Sequence, residues 1–218
     1  MHRRLLLPLA AVTAAAVLAS GCGKQSAAVR VGDQEVSQRE LFDELELIVT
    51  DTDFRTAVFG PEAETPLSSL QGSLGPTSYS QFLIGAVVLK RVQYLVAGDV
   101  LEENGIEITD DDRAAIKRAI DRALSPEDQP QTKGIERLPA AYQEDLVEGL
   151  TRLEVLQREL GPDEYRQQMR DALVSADVHI SSHFGSWDPA QGGVVPPPGP
   201  VQAPGSQDGG SRGGSGSA

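Results

Sequence analysis

One long apolar segment, residues 77–103, constrains the fold of this chain more than any other feature. Its apolar residues recur at intervals of three and four, a pattern that predicts a long helix with a wide apolar face. They are Phe82, Leu83, Ala86, Val87, Leu89, Val92, Leu95, Val96, Val100 and Leu101. A helix that is apolar over so much of its surface needs neighbours on several sides. We therefore expect a multi-helix domain arranged around it.

The sequence after this helix predicts a turn and a second helix. Asn104 and Gly105 stand where the periodicity stops, and Gly or Asn there commonly ends a helix in a left-handed conformation. Thr109 stands three residues before Asp112, so its hydroxyl can cap a helix that starts at Asp110. The narrow apolar stripe of this helix suits packing against the first helix. The stripe comprises Ala115, Ile116, Ala119, Ile120 and Ala123.

Residues 1–21 have the pattern of a secretory signal peptide. Arg3 and Arg4 precede an apolar run, and small residues lead up to Cys22. This ending resembles the lipobox of bacterial lipoproteins, with Ala19 where that family more often has leucine. The resemblance implies that Cys22 is lipidated and that residues 22–26 are a short tether. The alternative is ordinary signal cleavage that leaves a free thiol.

The charge balance argues against nucleic acid as a partner. The chain has 19 basic and 32 acidic residues and a formal net charge of −13. Cleavage of the signal removes Arg3 and Arg4 and takes this charge from −13 to −15. Such a charge repels phosphate backbones and anionic membrane surfaces. Because Cys22 is the only cysteine, no disulfide can form within the chain.

The segments VRVGDQEVSQRELFDEL and ENGIEITDDD resemble the N-terminal domain of the SurA family of bacterial periplasmic chaperones and peptidyl-prolyl isomerases. In the first segment a short strand and a turn lead to a helix, which Ser37 and Glu40 can cap as an S-x-x-E box. The resemblance covers residues 27–188. It implies a mainly α, multi-helix domain in which residues 178–180 pair with residues 28–31 and so join the two ends of the domain.

The remaining segments fit this architecture. Residues 138–160 carry a regular leucine stripe that ends at Gly161–Pro162, and residues 163–174 predict a further helix. The stripe is too short and too poor in flanking charge pairs for a coiled-coil dimer, so we interpret it as core packing. Residues 189–218 are rich in Gly, Pro and Ser and are predicted to be disordered.

The sequence offers no support for catalysis, a metal site or a cofactor. His179 and His183 fall on a strand and the loop after it, which does not suit a zinc site. We interpret Glu40, Glu44 and Glu46 as a solvated helix face. No catalytic triad, phosphate-binding loop or dinucleotide motif is present. SurA proteins carry isomerase activity in separate parvulin domains, for which residues 125–178 leave no room.

The resemblance therefore implies a lipid-anchored, extracytoplasmic chaperone module, held by its lipid on the outer face of the cytoplasmic membrane. It would bind unfolded exported polypeptides without turnover. Phe54 and Phe59 either pack on the domain's own core or contact a client chain, and in the second case Phe42, Phe54 and Phe59 are the candidate peptide-binding residues. An envelope scaffold that binds one folded partner is the alternative function, and an isomerase accessory is a third.

Overall fold

The computed structural model describes residues 26–59, 70–74, 78–125 and 134–204. Their helices are α1 (Gln38–Thr50), α2 (Thr52–Phe59), α3 (Gln81–Glu103), α4 (Asp110–Ala123), α5 (Ala140–Leu160) and α6 (Pro162–Ser175), with a 3-10 turn at Gly134–Arg137. The strands are β1 (Ala27–Val31), β2 (Gln34–Ser37), β3 (Ser78–Tyr79), β4 (Val178–Ile180), β5 (Ser186–Asp188), β6 (Gly193–Val195) and β7 (Val201–Gln202). The prediction of a mainly α domain with a small β element is confirmed.

Helix α3 is the central element of the domain. It packs against α1, α5, α6, β1 and β6, so neighbours surround it as its wide apolar face requires. The Ser80 hydroxyl accepts a hydrogen bond from the Leu83 amide at its start. Gly105, with φ +64°, follows Asn104 at its end, where an L side chain would be strained. The predicted helix end is confirmed.

Helix α4 begins where the sequence predicts but packs elsewhere. Thr109 and Asp112 form the predicted capping box, in which the Asp112 amide donates to Thr109 Oγ1 at 3.2 Å. The prediction that its stripe lies against α3 is wrong, because α4 packs mainly on α5 and on Gly134–Arg137. Other elements already cover α3, whereas the leucines of α5 remain available to the narrow stripe.

A three-stranded antiparallel sheet in the order β2-β1-β4 closes the domain. Val29 pairs with Ile180 and Val31 with Val178, so the predicted pairing of the two ends is confirmed. Strands β1 and β2 form a hairpin around Gly32, whose φ is +54°. The Ser37–Glu40 capping box then starts α1.

The prediction of disorder in residues 189–218 is wrong for residues 189–204. Strand β6 pairs with β5, and β7 pairs with β3. The composition of the segment is typical of a disordered tail. The segment is nevertheless ordered, because Pro197 and Val201 become buried against apolar surface of the folded domain. Residues 205–218 lie outside the described ranges.

The predicted signal peptide and Cys22 also lie outside the described residues, which begin at Ser26. Among the helices that the structure describes, none combines the length and the hydropathy needed to cross a bilayer.

Candidate functional site: an apolar cleft and a buried ion pair

An open apolar cleft of about 400 Å³ lies between α4 and α5. Phe54 of α2 and Tyr165 of α6 also line it, so four helices contribute to its walls. Its remaining lining residues are Ile116, Ala119, Ile120, Ala123, Leu124, Leu146, Leu150, Leu153, Glu154 and Gln157. Only Glu154 and Gln157 in this set carry a charge or an amide. The cleft therefore offers apolar contact area with a narrow polar margin.

The cleft forms because its two principal walls differ in side-chain size. Helix α4 presents alanines, including the exposed Ala119 and Ala123, where α5 presents leucines. The small side chains leave space that paired leucines would fill. Gly161, with φ +77°, ends α5 and turns the chain into α6, which carries Tyr165 to the cleft.

Ion pairs between α4 and α5 hold the cleft walls together. Arg158 Nη1 lies 2.6 Å from Asp112 Oδ1, and Arg113 Nε lies 2.9 Å from Glu148 Oε2. The hydrogen bond from Arg158, together with those from Thr109, holds the pKa of Asp112 well below its usual range. Asp112 therefore stays ionised, and it links the start of α4 to the last turn of α5.

The structure separates the residues that the sequence suggests for peptide binding. Phe42 is 7% exposed and packs against Phe184 with ring centroids 5.2 Å apart. Phe54 is fully buried, and its ring lies 5.6 Å from that of Tyr142 at the wall of the cleft. For Phe42 and Phe54 the structure favours core packing over direct surface contact. The structure describes neither the side chain of Phe59 nor any part of Cys22.

A buried ion pair joins α1, α3 and α5. Glu44 is fully buried, its Oε2 lies 2.6 Å from Arg91 Nε, and its Oε1 accepts a hydrogen bond of 2.8 Å from the Tyr142 hydroxyl. The interpretation of Glu44 as part of a solvated helix face is wrong, whereas Glu40 and Glu46 are exposed as expected. Glu44 lies inward because it stands three residues after Leu41 and four before Ile48, on the buried face of α1.

The surroundings of this ion pair shift the pKa values of Lys90 and Tyr142. Burial lowers the pKa of Lys90 to about 8, against the attraction of Glu44, and Lys90 Nζ lies 5.6 Å from the centre of the Tyr94 ring. Burial and the nearby Glu44 carboxylate raise the pKa of Tyr142 well above its usual value. Because Arg91 and Tyr142 occupy both oxygens of Glu44, we assign the cluster to the core and not to a ligand site.

Sequence reasoning missed this cluster, although a signal for it was present. Lys90 and Arg91 stand in the middle of the apolar helix α3, where a charge requires a partner. Glu44, three residues after Leu41 and four before Ile48, was the acidic residue placed to supply it.

His179 and His183 both contact residues of their own domain. His179 pairs with Arg30 across β4 and β1, and His183 stacks edge-on against Phe184. Within the described ranges, no group of three or more His, Cys, Asp or Glu side chains is arranged to hold a metal ion.

Comparisons with protein-family models, with curated proteins and with solved structures found no match to this chain.

Proposed function

We propose that this protein is a membrane-anchored, extracytoplasmic chaperone-like lipoprotein. It binds unfolded or partly folded exported polypeptides without catalysing a reaction on them. The sequence resemblance to the SurA N-terminal domain motivates the proposal, and the apolar cleft between α4 and α5 is the observation that carries it.

The size and chemistry of the cleft support this proposal. Its volume of about 400 Å³ lies in the range of about 300–1,000 Å³ typical of binding pockets. It is open along the surface, and a chain that continues on both sides of a bound apolar side chain needs such access. Its lining offers few polar groups that would select one sequence, so a shallow apolar contact suits many clients.

Charge also supports a polypeptide partner. The formal net charge of −13 disfavours nucleic acid and anionic lipid surfaces. It favours segments in which apolar residues are flanked by basic ones. Among related complexes, most differences in affinity are differences in the dissociation rate, so weak binding means fast dissociation. Weak apolar contacts therefore permit fast release of a client.

The anchoring part of the proposal rests on the signal-like residues 1–21 and on Cys22. A lipid at Cys22 would place the domain at the outer face of the cytoplasmic membrane, where exported chains emerge. One acyl chain holds a protein only marginally, and stable anchoring takes two, so the proposal requires a multiply acylated cysteine.

The test uses residues 22–218 with Cys22→Ser, mixed with several unrelated, chemically unfolded exported proteins. Light scattering follows client aggregation, and client activity follows recovery. We expect near-stoichiometric amounts to suppress aggregation of all clients without accelerating proline-limited refolding. Binding to one folded envelope protein, with no effect on any unfolded client, would instead support the scaffold alternative.

A further inference from the structure

Residues 189–204, here called the strap, contact α3 and β3. Strand β6 lies against α3, and β7 pairs with β3 just before α3 begins. The strap sequence PAQGGVVPPPGPVQAP carries no charged residue, although the chain as a whole is strongly acidic. The strap is thus an extended, apolar, proline-rich segment of the kind that an unfolded client presents.

The domain makes room for the strap at two glycines. A Cβ atom on Gly72 would lie 2.5 Å from Pro200 Cβ, and one on Gly85 would lie 3.3 Å from Pro196 Cγ. The first distance is too short for any side chain, and the second is tighter than ordinary van der Waals contact. The surface under the strap is therefore shaped to admit a chain that passes close to the backbone of α3 and of the loop before β3.

Aromatic side chains lie beneath the point where the strap pairs with β3. Tyr79, opposite Val201, has its ring 6.1 Å from that of Phe42, which in turn contacts Phe184. Grooves lined by aromatic rings are the usual receptors for proline-rich extended chains. The buried Phe42 thus belongs to a group of rings that the strap helps to cover.

Exposed apolar side chains flank the same surface. Phe82 is 68% exposed and lies three residues before Gly85, on the same side of α3. Val195 is 48% exposed and directly precedes Pro196. Exposed apolar residues beside a groove extend the contact available to a bound chain.

Among the described residues, only two residue pairs join the strap to β3, and another extended chain can form the same kind of pairs. Strand β7 pairs with β3 through Ser78↔Gln202 and Tyr79↔Val201. On its other side, β3 is supported without the strap, because Gly72 donates to the Ser78 carbonyl and Ser80 donates to the Leu70 carbonyl. Strand β3 would therefore keep its conformation after β7 leaves, as strand addition requires.

We propose that the strap occupies a binding surface for extended polypeptides, and that an apolar, proline-containing segment replaces β7 as the partner strand of β3. The proposal rests on the proposed affinity for unfolded chains and gives it a second contact surface besides the cleft. The strap competes for this surface. The apparent affinity for such a segment is therefore lower when a larger fraction of the molecules has the strap closed.

A disulfide between strap and domain tests the proposal. Because Ser78 uses its carbonyl for Gly72, Ser78 and Gln202 form a non-hydrogen-bonded pair, with about 4.5 Å between Cα atoms, within disulfide range. Residues 22–218 with Cys22→Ser, Ser78→Cys and Gln202→Cys are compared in oxidised and reduced form. The first probe is a fluorescent peptide of residues 191–204, and the second is a permanently unfolded, reduced and alkylated protein.

We expect oxidation to weaken peptide binding about tenfold or more, because the lock removes the open state. Equal binding by the oxidised and reduced forms would overturn the strap proposal. The unfolded protein separates the two claims. If it binds neither form while the peptide distinguishes them, the general chaperone function fails and the strap surface stands.

A matched pair of variants makes the complementary test. Val201 is 4% exposed, whereas Val174 of α6 is 43% exposed. Val201→Ala removes buried methyl groups from the strap and should raise peptide affinity about tenfold, while Val174→Ala should leave it unchanged. Thermal unfolding confirms that both variants fold. Failure of the peptide to bind Val201→Ala at all would overturn the proposal.

Discussion

Glu44 and Arg91 form an ion pair in the interior of the domain, with 2.6 Å between Glu44 Oε2 and Arg91 Nε. The side chains are 0% and 5% exposed, respectively, and the Tyr142 hydroxyl donates to the second carboxylate oxygen. The pair joins α1, α3 and α5 at one point. Asp145 lies 3.5 Å from Arg91 but is 46% exposed, so it cannot replace Glu44 as a buried counter-charge.

Glu44→Gln is expected to destabilise the domain by about 3–5 kcal/mol, because it leaves the buried Arg91 charge without its partner. Urea unfolding followed by circular dichroism measures the change. Glu46→Gln, at an exposed position on the same helix, is the control and should alter the free energy of unfolding by less than about 0.5 kcal/mol. Equal effects of the two substitutions would refute the assignment of Glu44 to the core.

Replacing both partners should cost less than removing Glu44 alone. Apolar residues of similar volume often substitute for a buried ion pair with little loss of stability. We therefore expect Glu44→Met combined with Arg91→Met to be more stable than Glu44→Met by itself. Additive losses in a double-mutant cycle would show that the two side chains do not interact.

The lowered pKa of Lys90 predicts that the free energy of unfolding rises with pH. Its pKa in the fold is about 8, below the ordinary value of 10.5, because burial disfavours the charged form. Between these values the unfolded state binds more protons, so the free energy of unfolding increases with pH, by up to about 3 kcal/mol over the full window. Glu44, Arg91 and Tyr94 face the same ammonium and are retained in the comparison.

The measurement compares the pH dependence of unfolding in the wild type and in Lys90→Met. The tyrosines of the cluster are present in both proteins, so the difference between the curves reports Lys90. It should grow from pH 8 to pH 10.5 in favour of the wild type. Lys117→Met, at an exposed lysine, is the control and should give a curve parallel to the wild type. A flat difference for Lys90→Met would contradict the burial of its ammonium.

Gly149 and Gly98 should respond oppositely to substitution by alanine. A Cβ on Gly149 would lie 2.5 Å from Tyr94 Cγ, inside the contact between α5 and α3. Gly149→Ala should therefore cost about 1–3 kcal/mol, although alanine favours helix. A Cβ on Gly98 would lie 3.1 Å from Nη1 at the far end of the long Arg152 side chain, which needs to shift by only a few tenths of an ångström, so Gly98→Ala should be neutral or stabilising. Thermal unfolding measures both, and destabilisation by Gly98→Ala alone would contradict the packing described.

Cys22 predicts a membrane location. Cys22→Ser in the full chain should move the protein from the membrane fraction to the extracytoplasmic soluble fraction and abolish incorporation of a labelled fatty acid. Ser26→Ala, in the adjoining tether, is the control and should change neither. Label incorporation by Cys22→Ser would contradict lipidation at this residue.

Local sequence signals predicted most of the secondary structure. The capping boxes at Ser37 and Thr109 and Gly105 after α3 act over a few residues, and each is confirmed. The predictions that were wrong concern contacts between residues far apart in the sequence. Glu44 resembles a surface residue until Arg91 is placed beside it, and α4 could not be assigned to α5 before the neighbours of α3 were known.

The cleft and the strap could not be derived from the sequence for the same reason. The alanines of α4 predict a narrow stripe, but the space they leave exists only because α5 presents leucines opposite. The strap has the composition of a disordered tail, and the apolar surface that orders it comes from β3 and α3.

The central claim is that the cleft between α4 and α5 binds unfolded polypeptides. Ala119 and Ala123 are exposed at its wall, and Ala115 is exposed on the same helix outside it. Ala119→Glu places a charge in the apolar cleft, whereas Ala115→Glu adds the same charge elsewhere. Because both sites are exposed, both variants should fold with stability close to the wild type.

The most direct measurement is the affinity of residues 22–218, with Cys22→Ser, for a fluorescent unfolded client, compared among the wild type, Ala119→Glu and Ala115→Glu. The account predicts a loss of about tenfold for Ala119→Glu, which corresponds to about 1.4 kcal/mol, and no change for Ala115→Glu. Equal affinities for all three proteins would contradict it.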